Sequence, residues 1–483
     1  MSVGLDIALT SCKSALLTRQ KEMAVISNNI SKANEENYHR QRVSLGSNVV
    51  IAGDGGYYGT GVHVSMIARE YDTALETSYR QSYCQSGYTD TYATQLGSIE
   101  SVLSPEGNDF LNESIQEFAT NLQEVASNPE SISSRTALIG SANDLADRFN
   151  QQYQSLATFR DYIADNTSGS GAISDKVDDL NSLVAQLPDL NDRIRDLETN
   201  LFVQAKANDV RDQRDEIISK IAKIANITVT ENSDTTYTVT LGGHTLVDGT
   251  TGVTDTVNLA MTPGVPHNTP TLTWASDGTA VNLTAGYGEM QALLDSRSYI
   301  TGKMDELYTF AQEFGDWAAA APPYSTVNTQ HMAGFDLDGN AGGRLFSLTN
   351  ATQPASGNIL SVVITDPRDI AASDAAGEQG NGNNASAIWD GLNATNVTLG
   401  NESILSYPNR FLSTIAQDVY AAENMATSIS ATTTMFKNAV AQRSSVNTDE
   451  ELTNMLSVQR SYQSAAKMIS VIDEMISMVI NMA

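Results

Sequence analysis

Residues able to do chemistry are thinly spread along this chain. Its five histidines, His39, His63, His244, His267 and His331, fall in different segments, and none has a second histidine four residues away, the spacing that puts two imidazoles on one metal. The two cysteines, Cys12 and Cys84, lack metal-ligand spacing and are too few for a disulfide framework, so both are read as free thiols. No glycine-rich loop leads into Lys and Ser or Thr, and no Gly-x-Ser-x-Gly elbow occurs. Asp336, Asp338 and Asn340 open like a calcium loop, but Ala341 stands where the sharp turn needs glycine and Ser347 where a bidentate glutamate is needed. That segment reads as a polar turn closed by Gly339, Gly342 and Gly343. Tyr79, Tyr83, Tyr88 and Tyr92 share a helical segment with Arg80 as the only nearby base, which suits packing better than base stacking. The expectation is a non-enzyme with no catalytic residue, no metal and no cofactor.

What the chain does carry is a pair of apolar heptads at its two ends. Near the C-terminus Leu452, Met455, Val458, Tyr462, Ala465, Ile469, Ile472, Ile476 and Val479 alternate steps of three and four. Near the N-terminus Leu5, Leu9, Cys12, Leu16, Arg19, Met23, Ile26 and Ile30 do the same, with Arg19 the one charged intruder. Each seam standing alone would leave apolar side chains in water at roughly 1.5 to 3 kcal/mol each. The ends are therefore expected to zip together as a coiled coil and to assemble with neighbouring subunits.

Charge narrows the partners. The chain of 483 residues has 57 Asp plus Glu against 28 Lys plus Arg, a net charge of −29, so nucleic acid and anionic membranes are poor partners. The imbalance is uneven: residues 1–50 are slightly basic, whereas 226–296 contain no Lys or Arg. No basic n-region followed by an apolar run opens the chain, and no stretch approaches about 18 uninterrupted apolar residues, so neither a cleavable secretory signal nor a membrane span is expected.

The elements alternate in blocks. Helical spacing covers residues 4–33, and an extended connector with Val43, Leu45, Val62, Val64 and Met66 follows, broken by Gly53, Gly55, Gly56, Gly59 and Gly61. Helices are predicted over 71–103, 109–126 and 131–165, and a fourth from Ile173 to Leu201 kinked at Pro188. Thr-rich alternation around Val229, Val239 and Leu246 marks a β insert, Glu289 to Phe314 a further helix, and Ile359 to Ile364 a strand in a second insert. Pro322 and Pro323 stop the helix before that insert, and residues 408–482 read as helical almost throughout. The fold class expected is mainly α with inserted β modules: an elongated rod with paired terminal helices, a long helical bundle and outer β-rich parts. The domains expected are 1–50 with 441–483 as the coiled-coil part, 51–225 with 286–320 and 401–440 as the bundle, and 226–285 and 321–400 as β-rich modules.

Several short motifs carry a resemblance. Ser27, Asn28, Asn29, Ile30, Ser31, Lys32, Ala33 and Asn34, followed by Tyr38, His39, Arg40 and Gln41, resemble the N-terminal signature of bacterial flagellar axial proteins. Gly59, Thr60, Gly61 and Val62 with Arg69, Tyr71 and Asp72, then Asp212, Gln213, Arg214 and Asp215, and the turn from Gly334 to Gly343, point within them to the hook-associated proteins of the hook–filament junction. Val446, Asn447, Asp449, Glu450 and Glu451, with Gln459, Tyr462, Gln463, Ala465, Ala466, Asp473, Glu474 and Met475, resemble that family's C-terminal helix. One departure stands out: Glu35, Glu36 and Asn37 occupy the place of the usual Thr-Pro-Gly before the tyrosine.

The resemblance implies a structural component of the hook–filament junction, needed for filament assembly and exported unfolded through the flagellum by its type III apparatus. It further implies an extracellular location, terminal helices forming the inner wall of a tube, and terminal seams that order when a subunit adds. The partners it implies are other copies of the chain in a ring, the hook protein, the second junction protein and an export chaperone on the C-terminal stripe. The alternatives are the second junction protein or flagellin, against which the length, the Tyr-His-Arg-Gln element and the C-terminal motif argue, and a secreted glycan-binding adhesin using the β inserts.

Overall fold

The computed structural model describes residues 2–35, 37–53, 56–104, 110–199, 206–317 and 325–481. Glu36, Gly55, Leu201, Pro322, Pro323 and Met482 lie outside the described residues. In chain order the elements are α1 (Ser2–Ser31), β1 (Gln41–Ser47), β2 (Ile51–Gly53), β3 (Gly56–Tyr58), β4 (Val62–Arg69), α2 (Thr73–Leu103), α3 (Phe110–Ser127) and α4 (Ile132–Ile163). There follow α5 (Ala172–Val184), α6 (Leu187–Glu198), α7 (Asn208–Ile224), β5 (Ile227–Glu231), β6 (Tyr237–Leu241), β7 (His244–Val247), β8 (Val257–Thr262), β9 (Thr269–Trp274) and α8 (Glu289–Ala311). The last are β10 (Gly315–Trp317), α9 (Thr326–Ala333), β11 (Phe346–Leu348), β12 (Leu360–Val362), α10 (Asn383–Asn393), α11 (Tyr407–Ser444) and α12 (Thr448–Asn481). Long helices with small separate sheets match the class expected.

The chain divides into two compact units, one of residues 1–86, 180–256 and 429–483, the other of residues 87–179 and 257–428. The boundary at 256/257 falls inside the stretch 226–285 that composition groups as one β-rich module.

In the first unit α1 and α12 pack along each other. The start of α12 is set by a polar cap: Asn447 Oδ1 accepts from the backbone N–H groups of Asp449 and Glu450 (3.0 and 3.2 Å), and the acidic first turn of α12 suits the positive end of the helix dipole. Asp72 Oδ1 caps α2 in the same way through Ala74 and Leu75. The connector forms the antiparallel pairs β1–β4, with a bulge between Ser44 and Leu45, and β2–β3. Its return strand lies on α1, where Thr18 Oγ1 donates to the Val62 carbonyl (3.2 Å). Gly61 is favoured there because φ is 98°, a conformation that L side chains rarely adopt, and a Cβ would also sit 3.1 Å from Ser11 Cα on α1. Leu190, Ile194, Ala207 and Val210 form a core between α6 and α7, and β5–β6–β7 is an antiparallel meander.

In the second unit α3, α4 and α8 surround an aromatic cluster in which Phe118, Phe149, Phe310, Phe314 and Phe346 meet at ring separations of 5.2 to 6.5 Å. Ser131 caps α4 by accepting from the Ser134 N–H (3.2 Å).

Three expectations are corrected. The single helix from Ile173 is two helices, α5 and α6, because Pro188 lacks an N–H and its ring would clash with the carbonyl four residues back; it stands in the first turn of α6 instead. The stretch 257–274 is a separate hairpin, β8–β9, hidden in the sequence by its mixture of Thr, Pro and Asn. The second insert carries two unforeseen helices, α9 and α10, and its strand shrinks to β12 beside β11, with β10 pairing parallel to β11.

Candidate assembly site

α1 and α12 pack along each other. Of the stripe residues Ile26 and Ile472 are buried, and Leu5, Leu9, Cys12, Leu16, Met23 and Ile30, with Met455, Val458, Tyr462, Ala465, Ile469 and Ile476, are half-buried. Arg19, the charged intruder, is neutralised on its own helix by Glu22 (2.6 Å). Leu452 and Val479, at the two ends of the stripe, stay exposed. So does a second row on α12 that the sequence reading missed: Met468 (55% exposed), Val471, Met475 and Met478 (57%). Its steps of three and four were legible, but the row lies one residue from the first stripe and was absorbed into it. The apolar face of α12 is thus wider than α1 covers.

At the join of α1 and α12 the family motif residues Asn28, Asn29, Tyr38, Arg40 and Gln41 build a polar knot. Asn29, 1% exposed, uses every hydrogen-bonding position it has. Its Oδ1 accepts from Tyr38 Oη (2.8 Å) and the Gln41 N–H (3.0 Å), and its Nδ2 donates to the Gln41 carbonyl (3.0 Å) and Glu451 Oε2 (3.1 Å). Asn28 Nδ2 also reaches Tyr38 Oη (3.3 Å). Arg40 forms ion pairs with Glu450 (2.8 Å) and Glu451 (2.5 Å), and Gln41 Nε2 donates to Asp209 (2.8 Å). Burial pushes the Tyr38 phenol above its ordinary range, with Asp209 and Asp212 adding to the effect, so it stays a neutral donor.

Next to it lies a charged cluster that sequence reasoning never assembled. His39 Nδ1 is 2.8 Å from Asp212 and Nε2 is 3.2 Å from Glu76, while Arg69 pairs with both Asp212 and Asp215 (2.6 Å each) and lies over the Tyr71 ring. Burial opposes a charge on His39, but its bonds to Asp212 and Glu76 outweigh this and push its pKa up to about 9. It is an imidazolium at neutral pH. The guanidinium of Arg69 is likewise opposed by burial and held above its ordinary value by Asp215 and Asp212. Within the same motif Arg214 is fully buried, donates to Asn191 Oδ1 (3.0 Å) and the Thr235 carbonyl (2.9 Å), and stacks over Tyr237. Arg211 grips Glu198 through two bonds (2.7 and 2.8 Å). The signal for all this was the Asp-Gln-Arg-Asp run itself; what the sequence withholds is which basic groups it meets.

The remaining candidates have structural explanations. Asp336 Oδ1 accepts from the Asp338 and Asn340 N–H groups, and Asp338 pairs with Arg368, which makes the calcium-like segment a closed turn. His63 binds Asn48, His244 binds Asp255, His267 binds Arg160, and His331 lies between the Gly343 carbonyl and the Ala371 N–H. Burial pushes the Cys84 thiol up to about 12. Among the described residues no group of three or more His, Cys, Asp or Glu could hold a metal ion, and no helix is long and apolar enough to cross a membrane.

Comparison with known proteins agrees with this architecture. A family profile described as the flagellar hook-associated protein FlgK helical domain matches residues 96–346, and one described as flagellar basal body rod FlgEFG protein C-terminal matches residues 438–482. Flagellar hook-associated protein 1 of Escherichia coli is 30% identical over 376 residues, 76% of this chain and 65% of the relative. The protein of that name from Salmonella typhimurium is 31% identical over 75% of this chain and 64% of its own length. The Bacillus subtilis protein of that name is 27% identical across 98% of both chains. The match therefore spans less than two thirds of the two enterobacterial relatives. The structure of the flagellar hook junction protein FlgK from Burkholderia pseudomallei superposes with a TM-score of 0.62 at 16% identity, covering 75% of this chain and 98% of that one, a likeness of fold. Because the first profile spans more than half of its residues, the chain belongs to the flagellar hook-associated protein FlgK family.

Proposed function

We propose that the chain is a structural component of the bacterial flagellum that forms the junction between hook and filament and is needed for filament assembly. Membership of the FlgK family supports this reading, and so do the relatives, which carry the name flagellar hook-associated protein 1. The observation that carries it is the face of α12: Met468, Val471, Met475 and Met478 remain in water after α1 has covered the first stripe. An apolar row of that regularity on a helix already paired once is a surface built for a further partner.

In this reading residues 1–50 and 441–483 form the inner wall of a tube, and neighbouring copies bury the row left uncovered. The hook protein and the second junction protein are the partners at its two ends. During export an export chaperone covers the α12 stripe from Leu452 to Val479. Deleting the gene in its host, imaging the cells by electron microscopy and measuring flagellin in the medium tests the reading. Hooks without filaments, with monomeric flagellin shed, are expected; intact filaments would overturn it. Deletion of residues 452–483 should give the same defect.

A further inference from the structure

The α1–α12 seam poses a problem of register. Its side chains are nearly all apolar and repeat every seven residues, so sliding one helix past the other by a heptad, about 10 Å, again sets apolar against apolar. Arg19 is held by Glu22 on its own helix and gives no reference mark across the seam. The three residues between α11 and α12 also set no firm limit, because melting the first turns of α12 would supply the slack.

One side chain does supply a mark. Glu451, 2% exposed, lies in the first turn of α12 and meets Asn29 near the end of α1, so the two helices run antiparallel. We infer that Glu451, seated on Asn29 and Arg40, is the positioning residue that fixes a single register of the terminal helix pair. Asn29 has its other three hydrogen bonds in the 38–41 segment, so it cannot follow α12 in a slip. Arg40 is itself tied down by its backbone N–H, which donates to the Ser444 carbonyl (2.8 Å). A one-heptad slip therefore strips a buried carboxylate of both partners and leaves Asn29 short of an acceptor, whereas the apolar residues lose little. A buried polar group that costs little in the correct pairing and much in every other is a known means of choosing register.

The idea rests on the junction reading for its purpose, since copies joining a ring must present identical outer rows, but its test does not. In the full chain with Cys12→Ala and Cys84→Ala, spin labels at Lys13→Cys and Arg460→Cys report the distance between exposed sites on α1 and α12. A single narrow distance is expected with Glu451 present. Glu451→Leu should keep the helix content by circular dichroism and add a second distance, displaced by one heptad; Glu451→Gln, whose one carbonyl oxygen can replace only one of the two carboxylate oxygens that Asn29 and Arg40 bind, should add that second distance to a smaller extent than Glu451→Leu. An unchanged single distance in Glu451→Leu would overturn the inference and assign register to the short 445–447 loop. A broad distribution in the labelled parent would overturn it as well, since there would then be no fixed register.

Discussion

Several buried arginines are held differently in the two units, with Arg214 of the first, bound to Asn191 and the Thr235 carbonyl, and Arg160 of the second, paired with Asp161, as exceptions. In the first, Arg69 meets Asp212 and Asp215, Arg211 meets Glu198, and Arg40 meets Glu451: each guanidinium has a carboxylate brought from a distant segment. In the second, Arg135 donates to the carbonyls of Pro129, Pro367 and Ile370, and Arg297 to those of Ala164 and Asn268. Burial lowers Arg135 from its ordinary value and brings Arg297 down to about 10, with Arg160 nearby adding to the second effect. Carboxylate pairing fastens helices through charge. Carbonyl pairing ties down irregular chain by satisfying backbone acceptors that no regular element reaches.

That contrast can be broken by removing one arginine from each unit. Arg69→Met leaves Asp215 without its ion-pair partner and Asp212 with His39 alone, and should cost about 3–5 kcal/mol, read as a fall in the first unit's thermal transition. Arg135→Met removes a buried charge together with its bonds and should cost less, about 1–3 kcal/mol, in the second unit. A larger loss for Arg135 than for Arg69 would contradict the distinction.

The pH dependence sharpens it. Because the folded pKa of His39 is raised to about 9 from an ordinary 6.5, its contribution is fully present below about pH 6.5 and is lost as pH rises through 9. Thermal melts between pH 6.5 and 9 should show the first unit weakening by up to about 3 kcal/mol, and His39→Gln should flatten that slope. An unchanged slope in the variant would remove His39 from the cluster's energetics. The smallest effect expected is Asn447→Ala, which uncaps α12 and should cost about 1 kcal/mol, seen as faster amide exchange in its first turn.

Much of this was legible in advance, for identifiable reasons. The terminal seams are periodic, and periodicity is local information; Leu5 to Ile30 and Met455 to Val479 could be read directly. The knot was visible only as separate words, since Asp212 lies 173 residues from His39 and Glu451 lies 422 from Asn29, and nothing local states that they converge. Pro188 was recognised as a disturbance, but whether a proline bends a helix or begins one depends on the residues before it. The β8–β9 hairpin and the helices α9 and α10 were lost in turn-rich text, where short elements are held by tertiary contacts more than by their own propensity. The second apolar row of α12 was missed for a different reason: one stripe had already been assigned.

The most direct test of the account is to replace Met468, Val471, Met475 and Met478 together with glutamine. These side chains are exposed, so the purified variant should keep its helix content and unfolding temperature. Cells carrying it should nevertheless show hooks without filaments and release monomeric flagellin. Normal filaments on those cells would contradict the claim that the uncovered face of α12 drives assembly.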